Sequence, residues 1–306
     1  MDNHNLLKRL APPAKDKVLQ VVIDTDTYNE VDDQFAVAYA LLSPERMKVQ
    51  AIYAAPFLNK RSKSSGNGMD LSYQEILNIL DVMQIPSSGW VFKGSEQTVT
   101  EKGGAVDSPA ARDLIERAMS ISLDDDPLYV IAIGAISNVA SAMMLEPKIR
   151  ERISVVWMGA NARYWKNAKE FNCCGDIMAT RYLFDCGVPL TVVPAMASSS
   201  HMLTTIYDLE YYLKGKSALC DLLVDRFRNY TDDHYGWSKE IWDVAAIAYL
   251  IDPDWHETEL VPSPAITDHY KWEPEDHSRH RIRMSNFLNR NAIFRDMYQK
   301  LSEFQQ

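Results

Sequence analysis

Short apolar runs rich in β-branched residues alternate with amphipathic or wholly apolar stretches along most of the chain. Runs of the first kind predict buried strands, and stretches of the second kind predict helices. The predicted strands cover residues 18–23, 49–55, 91–92, 128–133, 155–158 and 190–193. The predicted helices cover residues 34–42, 71–82, 109–120, 135–144, 209–227, 241–251 and 292–301. This alternation predicts a single α/β domain with a mainly parallel central sheet flanked by helices, of the Rossmann-like kind.

Polar segments divide these elements. Residues 1–16 are polar and contain prolines, so we expect an N-terminal arm followed by one domain over residues 17–306. Residues 56–70 are dominated by Ser, Gly, Asn and Lys and are a predicted loop and a candidate lid, and residues 97–107 are a second predicted loop that contains glycines. The pair Ser108–Pro109 is typical of a helix start, with Ser as cap and Pro in the first turn. Residues 262–291 are interpreted as either a hairpin or extended segments.

Composition and charge are those of a globular protein. The 306 residues are 46% hydrophobic and 24% charged, and the net charge is −10. Because no basic run or stripe is present, we expect no nucleic-acid partner. No apolar stretch reaches the length of a membrane span, and the first residues lack the apolar segment of a signal peptide. Four cysteines without metal-ligand spacing favour plain buried thiols in a reduced, cytoplasmic protein.

The segment between the first predicted strand and the helix that follows it is strongly acidic. It carries Asp24, Asp26, Glu30, Asp32 and Asp33. A position after a buried strand of an α/β sheet is where ligands bind. Carboxylates so close together repel one another, and a hard cation with oxygen ligands is the simplest way to bring them together. The alternative is a solvated loop that happens to be acidic.

Three further segments follow predicted strands or open a helix. Gly134–Asn138 follows one strand, and Met158–Ala160 follows another and leads to Glu170–Asn172 and Asp176. Trp242–Asp243 opens an otherwise apolar helix. An aspartate at such a position is either a helix cap or a ligand, and the residue pattern alone favours the cap.

Taken together and in this order, the five segments resemble the nucleoside hydrolase family of the inosine–uridine-preferring type. That family has an acidic DxD…DD cluster after its first strand, a glycine turn ending in Asn, a Met-Gly-Gly segment, a Glu-Phe-Asn motif followed by Asp, and a late Asp on a helix. The resemblance covers about residues 18–254. It implies the nucleoside hydrolase fold and a catalytic domain over residues 17–306.

The resemblance also implies a calcium site. Its carboxylate ligands would be Asp26, Asp33 and Asp243, and the main-chain carbonyl of Ile133 would be another ligand. Asp32 would be the general base for a calcium-bound water. Such an ion makes a bound water more acidic, and a neighbouring carboxylate can then take its proton.

Candidate substrate-binding residues fall into two groups. The resemblance implies that Glu170 and Asn172 bind the ribose hydroxyls, with Asn59 and one of Asn161 or Asn167 as further candidates. His234 and Trp237 precede the Asp243 helix and are candidates to line a base pocket, since pockets favour aromatic groups near polar ones.

The expected activity is hydrolysis of the N-glycosidic bond of a nucleoside to free base and ribose, as in nucleoside salvage. Relatives that prefer purine nucleosides have Trp before the late aspartate, and this chain resembles them at Trp242. An indole can stack on a purine. The alternative is that Trp242 merely packs beneath its helix. We also expect a homo-oligomer, a dimer or tetramer, with a small-molecule nucleoside as substrate.

The chain departs from the family pattern in several places, among them Asp176–Ile177 where the family has Asp-Pro. The spacer between Asp26 and Asp32, residues 27–31, is longer than usual, so Asn29 or Glu30 could reach the substrate. Met-Gly-Gly has become Met-Gly-Ala, and the segment before Glu170 is shortened. These changes affect the expected fit of the substrate more than the expected metal binding.

Two rival functions remain open on sequence alone. A phosphatase of the haloacid dehalogenase type also begins with Asp-x-Asp, which Asp24 and Asp26 match, but Tyr28 and the residues after Asp176 do not fit its later motifs. A non-catalytic nucleoside or sugar binder is the second rival. It would tolerate loss of Asp32, which is present.

Overall fold

Ten strands are present in the computed structural model, which describes residues 2–305. They are β1 (Leu19–Thr25), β2 (Met47–Ala54), β3 (Val91–Lys93), β4 (Leu128–Ala132), β5 (Ile153–Met158), β6 (Leu190–Val193), β7 (Leu203–Thr204), β8 (Lys239–Glu240), β9 (His256–Pro262) and β10 (Arg281–Leu288). Eight of them form one sheet in the order β3-β2-β1-β4-β5-β6-β10-β9. All neighbours in it are parallel except β9, which pairs antiparallel with β10. The predicted α/β domain with a mainly parallel sheet is confirmed.

Helices cover both faces of this sheet. They are α1 (Asn3–Arg9), α2 (Asp32–Leu41), α3 (Ser65–Val82), α4 (Val99–Lys102), α5 (Pro109–Ser120), α6 (Ser137–Leu145), α7 (Phe171–Gly175), α8 (Ile177–Asp185), α9 (Ile206–Tyr212), α10 (Ala218–Arg228), α11 (Val244–Ile251) and α12 (Arg290–Glu303). Short 3-10 turns lie at Pro147–Glu151 and Pro253–Trp255, and an irregular turn lies at Ala195–Ser199.

Two hydrophobic cores lie on opposite faces of the sheet. Ile23 of β1 belongs to the core that contains Phe35 of α2, whereas its neighbour Val22 belongs to the core that contains Trp157 and Phe184. Successive residues of a strand point to opposite faces, so a strand covered on both sides is apolar throughout. This explains why the centre of β1, residues 21–23, is apolar on both faces before the strand ends at the acidic segment.

The start of α5 matches its prediction, and the start of α3 does not. Ser108 Oγ accepts a hydrogen bond from Ala111 N at 3.2 Å, with Pro109 as the first helical residue. Residues 65–70, predicted as part of a loop, are the first turns of α3, which Ser64 caps. A side chain at Gly68 would lie 2.0 Å from the Phe57 carbonyl oxygen, so this glycine permits close packing of the helix.

Two other segments differ from the sequence interpretation, and a third takes the hairpin form that the interpretation included. The predicted helix over residues 209–227 is two helices, α9 and α10, because the chain turns at Gly215 with φ +73°. The predicted loop over residues 97–107 contains α4, which a capping box at Thr98 and Glu101 opens. Residues 262–291 contain the end of β9 and the whole of β10, which pair as a hairpin.

The N-terminal segment contains α1 and is attached to the domain by arginines. Arg283 Nε donates to Leu10 O at 2.7 Å, and Arg46 Nη1 donates to Ala14 O at 3.0 Å. All four cysteines are free; Cys173 and Cys220 are buried, and Cys174 and Cys186 are half-buried. Across residues 2–305, no helix combines the length and apolar character needed to cross a membrane.

Candidate functional site

A cavity of about 420 Å³ opens where β1, β4 and β5 end. It is lined by Asp26, Asn29, Glu30, Asp32, Asp33, Ile133, Met158, Asn161, Trp165, Lys166, Asn167, Lys169, Glu170, Phe171, Asn172, Ala195, Met196, Trp242 and Asp243. A larger cavity of about 670 Å³ lies under the N-terminal arm, but it does not include this group of buried acids. The smaller cavity therefore contains the candidate chemistry, at the sheet edge where α/β proteins bind ligands.

Three buried aspartates converge in this cavity. Asp32 and Asp33 form the first turn of α2, and Asp243 directly precedes α11. One carboxylate oxygen from each of the three lies within 4.8 Å of the others. Asp26 follows β1 and lines the same cavity. Oxygen donors at such separations match the ligand set of a hard divalent cation.

The hydrogen bonding of these aspartates leaves room for a ligand. Both carboxylate oxygens of Asp26 are buried and have no hydrogen-bond partner among the described residues. Asp243 makes no side-chain hydrogen bond to the turn of α11 that it precedes, so the cap interpretation of this residue is not realised. Asp33 Oδ1 accepts a hydrogen bond from Thr25 Oγ1 at 2.6 Å. Buried carboxylate oxygens without partners are costly unless a cation joins them.

Gly134 provides the space that Asp26 occupies. A side chain at residue 134 would lie 3.1 Å from Asp26 Cγ and 3.2 Å from Asp26 N. The neighbouring Asn138 ties the same strand ends together, because its Nδ2 donates to Asp24 Oδ1 at 2.8 Å and to Ala54 O at 3.1 Å. Asp24 is thus held by the sheet edge and does not line the cavity.

The pKa values of the converging acids are raised. Burial, with Asp32 next, raises the pKa of Asp33 to about 8, and burial together with the neighbouring carboxylates raises the pKa of Asp26 and Asp243 well above the usual range. A divalent cation reverses this effect because it favours the charged carboxylates. The acid cluster, its unpartnered oxygens and its hard donors therefore fit a divalent metal ion.

Asp32 differs from the other acids because a lysine faces it. Burial raises the pKa of Asp32 to about 6, and the nearby charge of Lys239 opposes that rise. Lys239 is buried, and its Nζ lies 2.5 Å from Glu30 Oε2. Burial lowers the pKa of Lys239, but Asp32 and Glu30 outweigh it and raise the pKa on balance.

Glu170 holds the loop that closes one side of the cavity. Its carboxylate accepts hydrogen bonds from Ala160 N at 2.8 Å, Asn172 N at 2.9 Å and Cys173 N at 3.0 Å. Burial raises the pKa of Glu170 to about 7, and these backbone donors act in the opposite direction. Ala160 has φ +57°, a left-handed conformation in which the glycine of the Met-Gly-Gly pattern carries less strain.

The asparagines of the cavity are partly committed to backbone groups. Asn172 Nδ2 donates to Ile133 O at 3.2 Å and to Met158 O at 3.0 Å. Asn161 Nδ2 donates to Asn167 O at 3.2 Å, and Asn161 Oδ1 accepts from Met196 N at 3.2 Å. These contacts fix the walls of the cavity and place both side chains at its surface.

Three predicted substrate-binding residues do not line the cavity. Asn59 contacts a residue that does, because its Nδ2 donates to Asn29 Oδ1 at 2.6 Å. His234 Nε2 donates to Arg228 O at 2.9 Å and the ring stacks on Phe227, and Trp237 packs in the same aromatic cluster. Their proximity to Asp243 in sequence does not bring them to the cavity, because the short strand β8 lies between.

The sequence interpretation missed Lys239, Trp165 and Phe171. Lys239 belongs to a two-residue strand and to no motif; the one available signal is that so many acids require a nearby cation. Trp165 and Phe171 line the cavity, and each exposes 41% of its surface. Exposed aromatics next to a predicted substrate motif are a signal for contact with a flat ligand.

Comparison with known proteins agrees with this geometry. The sequence model of the family described as inosine-uridine preferring nucleoside hydrolase matches residues 21–285. The chain belongs to this nucleoside hydrolase family. As a nucleoside hydrolase it is an enzyme that acts on N-glycosidic bonds, and the phosphatase and non-catalytic alternatives lose their support.

Individual nucleoside hydrolases show the same relationship. The pyrimidine-specific ribonucleoside hydrolase RihA of Klebsiella pneumoniae (strain 342) is 26% identical over 264 residues, covering 77% of this chain and 80% of the relative. A plant nucleoside hydrolase, PpNRh1, has a similar fold with a TM-score of 0.74 at 18% identity, covering 94% of this chain and 100% of that chain. An inosine-guanosine nucleoside hydrolase has a TM-score of 0.75 at 14% identity, covering 95% and 100%.

Proposed function

We propose that this nucleoside hydrolase is a calcium-dependent enzyme that releases free base and ribose from ribonucleosides, with a preference for purine nucleosides. The observation that carries the proposal is the cavity in which four buried aspartates and Trp242 face one another. The acids account for the metal and the attack on the sugar, and the indole accounts for the base preference.

Calcium is supported by the chemistry of the donors. Asp26, Asp33 and Asp243 supply carboxylate oxygens, and Ile133 supplies a carbonyl at the same edge of the sheet. Calcium prefers such oxygen ligands, whereas zinc prefers nitrogen and sulfur. When bound, the cation orients a water and the sugar hydroxyls and makes that water more acidic.

The other polar groups have separate roles in the proposed reaction. Asp32 accepts the proton of the attacking water, and its pKa near 6 makes it a carboxylate at neutral pH. The transition state of N-glycosidic cleavage develops positive charge on the sugar, which the carboxylates of the cavity stabilise. Glu170 and Asn172 line the same cavity, where they can bind ribose hydroxyls.

The base preference is supported by Trp242. Its half-buried indole lines the cavity next to Asp243, so it does not merely fill the core beneath α11. Relatives of both kinds exist: the RihA relative is named pyrimidine-specific, and the neighbour with TM-score 0.75 is named an inosine-guanosine hydrolase. A purine offers the larger face for stacking, and base–aromatic stacking contributes about 1–3 kcal/mol.

A reducing-sugar assay across a nucleoside panel tests this proposal. The enzyme should release ribose from inosine, adenosine and guanosine with a higher kcat/KM than from uridine and cytidine. A chelator should abolish release, and calcium should restore it. Equal or better cleavage of uridine would contradict the purine preference, and full activity in chelator would contradict the metal.

The predicted cytoplasmic location and the predicted dimer or tetramer stay predictions. Light scattering coupled to size-exclusion chromatography would measure the mass in solution, for comparison with the chain mass of 34.9 kDa. A monomer at micromolar concentration would contradict the predicted oligomer.

A further inference from the structure

Lys239 and Glu30 form an ion pair at the edge of the cavity. Lys239 Nζ lies 2.5 Å from Glu30 Oε2, and the lysine side chain is only 10% exposed. The second carboxylate oxygen, Oε1, accepts a hydrogen bond from Tyr230 Oη at 3.4 Å. Both oxygens of Glu30 are therefore engaged on the side of Lys239 and Tyr230.

Aromatic rings surround the lysine of this pair. Its Nζ lies 5.7 Å from the centre of the Tyr230 ring and 5.9 Å from the centre of the Trp242 ring. Both distances are within the range of a cation–π contact. Lys239 thus contacts both Trp242, which precedes Asp243, and Glu30, which lies two residues before Asp32.

The backbone that carries Glu30 is held independently. Arg61 Nη1 donates to Tyr28 O at 3.1 Å and to Glu30 O at 3.4 Å. With its backbone fixed, the position of the Glu30 carboxylate depends mainly on its side-chain rotamer and hence on its partners. Glu30 lies in the lengthened spacer between Asp26 and Asp32, so its carboxylate is an addition to the acids of the family pattern.

The charge of Glu30 reaches the acids of the site. It contributes to the raised pKa of Asp26, Asp33, Asp243 and Glu170. Glu30 lines the same cavity as the four aspartates, and a fifth carboxylate there would compete for a coordination position on a divalent ion, because calcium accepts variable numbers of carboxylate oxygens.

We propose that Lys239 is a positioning residue that holds the Glu30 carboxylate away from the metal-binding aspartates and so keeps the site open to water and substrate. The proposal rests on the proposed calcium-dependent hydrolysis. It concerns residues that lie outside the ligand set, and its effect reaches the reaction through Glu30.

Removal of the ammonium group gives opposite effects on metal binding and on turnover. In a Lys239→Met variant, Glu30 loses its partner and turns toward the bound calcium. An added carboxylate strengthens calcium binding, since the number of charged ligands sets affinity. The same carboxylate occupies a position that water or a ribose hydroxyl needs, so kcat falls by roughly 10- to 100-fold, the range found for residues that orient metal ligands. General disruption of the site would weaken calcium binding and turnover together.

A double variant separates this role from other roles of Lys239. Calcium affinity is measured by isothermal titration with calcium alone, and kcat is measured with inosine. We expect Lys239→Met to bind calcium at least as tightly as the wild type while turning over more slowly, and Glu30→Gln in the same chain to restore kcat. Weaker calcium binding, an unchanged kcat in Lys239→Met, or no recovery in Lys239→Met/Glu30→Gln would each overturn the proposal.

Separate controls test whether the variants fold and whether the proposed calcium-dependent hydrolysis is correct. Lys300→Met is the matched control, because the Lys300 side chain is only 17% exposed, its Nζ lies 2.6 Å from Glu45 Oε1, and it belongs to α12 outside the cavity. The kcat and calcium affinity of this variant should equal those of the wild type. If Lys239→Met does not fold, the double variant is compared with Glu30→Gln alone, and equal kcat within about threefold supports the proposal whereas a larger loss overturns it. A wild-type protein that cleaves no nucleoside or binds no calcium contradicts the proposed function instead.

Discussion

Asp32 is the acid whose removal should separate metal binding from turnover. In Asp32→Asn the amide keeps the shape of the side chain but cannot accept a proton, so kcat should fall by about 10²–10⁴-fold. The calcium content of the purified variant, measured by elemental analysis, should stay at the wild-type level. Near wild-type turnover of inosine would show that Asp32 is not the base.

A matched control for Asp32→Asn is Asp107→Asn. Asp107 is an exposed aspartate that pairs with Arg112 on the surface. The same change of carboxylate to amide there should leave both kcat and calcium content unchanged, because surface ion pairs contribute little.

Trp242→Ala should narrow the difference between purine and pyrimidine nucleosides. Loss of a stacking contact worth about 1–3 kcal/mol corresponds to roughly 5- to 150-fold in kcat/KM, and a purine should lose more of it than a pyrimidine. The measurement is the ratio of kcat/KM for inosine to that for uridine, in the variant and the wild type. An unchanged ratio in folded Trp242→Ala would assign the base preference to other residues, with Trp165 and Phe171 as the next to substitute.

Single residues were predictable where a local rule fixes them. Ser108 caps α5 as its sequence indicates, because the hydroxyl and the backbone N–H it accepts from are three residues apart. Asp243 follows the same rule in sequence, yet it does not cap α11. Its side chain instead converges with those of Asp32 and Asp33, which are distant in sequence, so no local pattern predicts its position.

At the scale of elements, the type of each long apolar segment followed from its pattern, and several boundaries did not. The hydrophobic period does not distinguish one helix from two that share a face. The sequence therefore predicts a single helix over residues 209–227, although the chain turns at Gly215. Residues 65–70 contain Ser, Gly and Asn, which favour loops, but the close contact of Gly68 with the backbone of Phe57 makes them helical. At Gly68 tertiary packing decides what local preference leaves open, whereas at Gly215 a left-handed glycine ends the first helix locally.

Arg46 links three elements through backbone carbonyl groups. Its Nε donates to Ile251 O at 2.8 Å and its Nη2 donates to Leu250 O at 3.1 Å, at the end of α11, while Nη1 binds the N-terminal segment. Each hydrogen bond from a charged donor contributes about 1.5–3 kcal/mol. These bonds share one guanidinium, and water can replace some of them in the variant, so their contributions do not simply add. Arg46→Met should lower the free energy of unfolding by about 3 kcal/mol or more, measured by urea denaturation.

Arg46 precedes β2 and lies at the opposite edge of the sheet from the cavity. The folded fraction of Arg46→Met should consequently keep its kcat for inosine. A loss of stability below about 1 kcal/mol would mean that water replaces the arginine at these carbonyl groups at little cost.

At the scale of the whole molecule, calcium should raise the thermal stability of the protein. A ligand that binds only the folded state stabilises it by about 2.7 kcal/mol at a hundred times its Kd, and for a chain of this size that corresponds to roughly 5 °C in Tm. Asp33→Asn and Asp243→Asn should each abolish most of the shift, since each removes a charge from the ligand set. Differential scanning calorimetry with calcium and with chelator measures it.

Magnesium at the same concentration serves as the ion control in that calorimetry. Magnesium demands a smaller and more regular octahedron of ligands, so its shift in Tm should be smaller. A full calcium shift in both aspartate variants would mean that the stabilising ion binds elsewhere.

The fold class could be predicted from sequence because alternating strands and helices permit few arrangements. The strand order could not, since it depends on pairings between distant segments: β1 lies between β2 and β4, and β10 returns beside β6. Asp26, Asp32 and Asp33 were predictable as a group because they lie between a buried strand and the next helix, whereas Asp243 was implied only by the resemblance to the family. Lys239 was not predictable, because only the folded chain brings its short strand β8 to Glu30.

The position of the N-terminal arm has a practical consequence for handling the protein. The arm lies near Leu19, at the start of β1, whereas Asp26 in the cavity follows the end of that strand. Seven residues of strand span about 20 Å, so the N-terminal arm and the cavity lie at opposite ends of β1. The exposed Asp2 is therefore a suitable point for tethering the enzyme to a solid support, with the mouth of the cavity directed toward a flowing substrate solution.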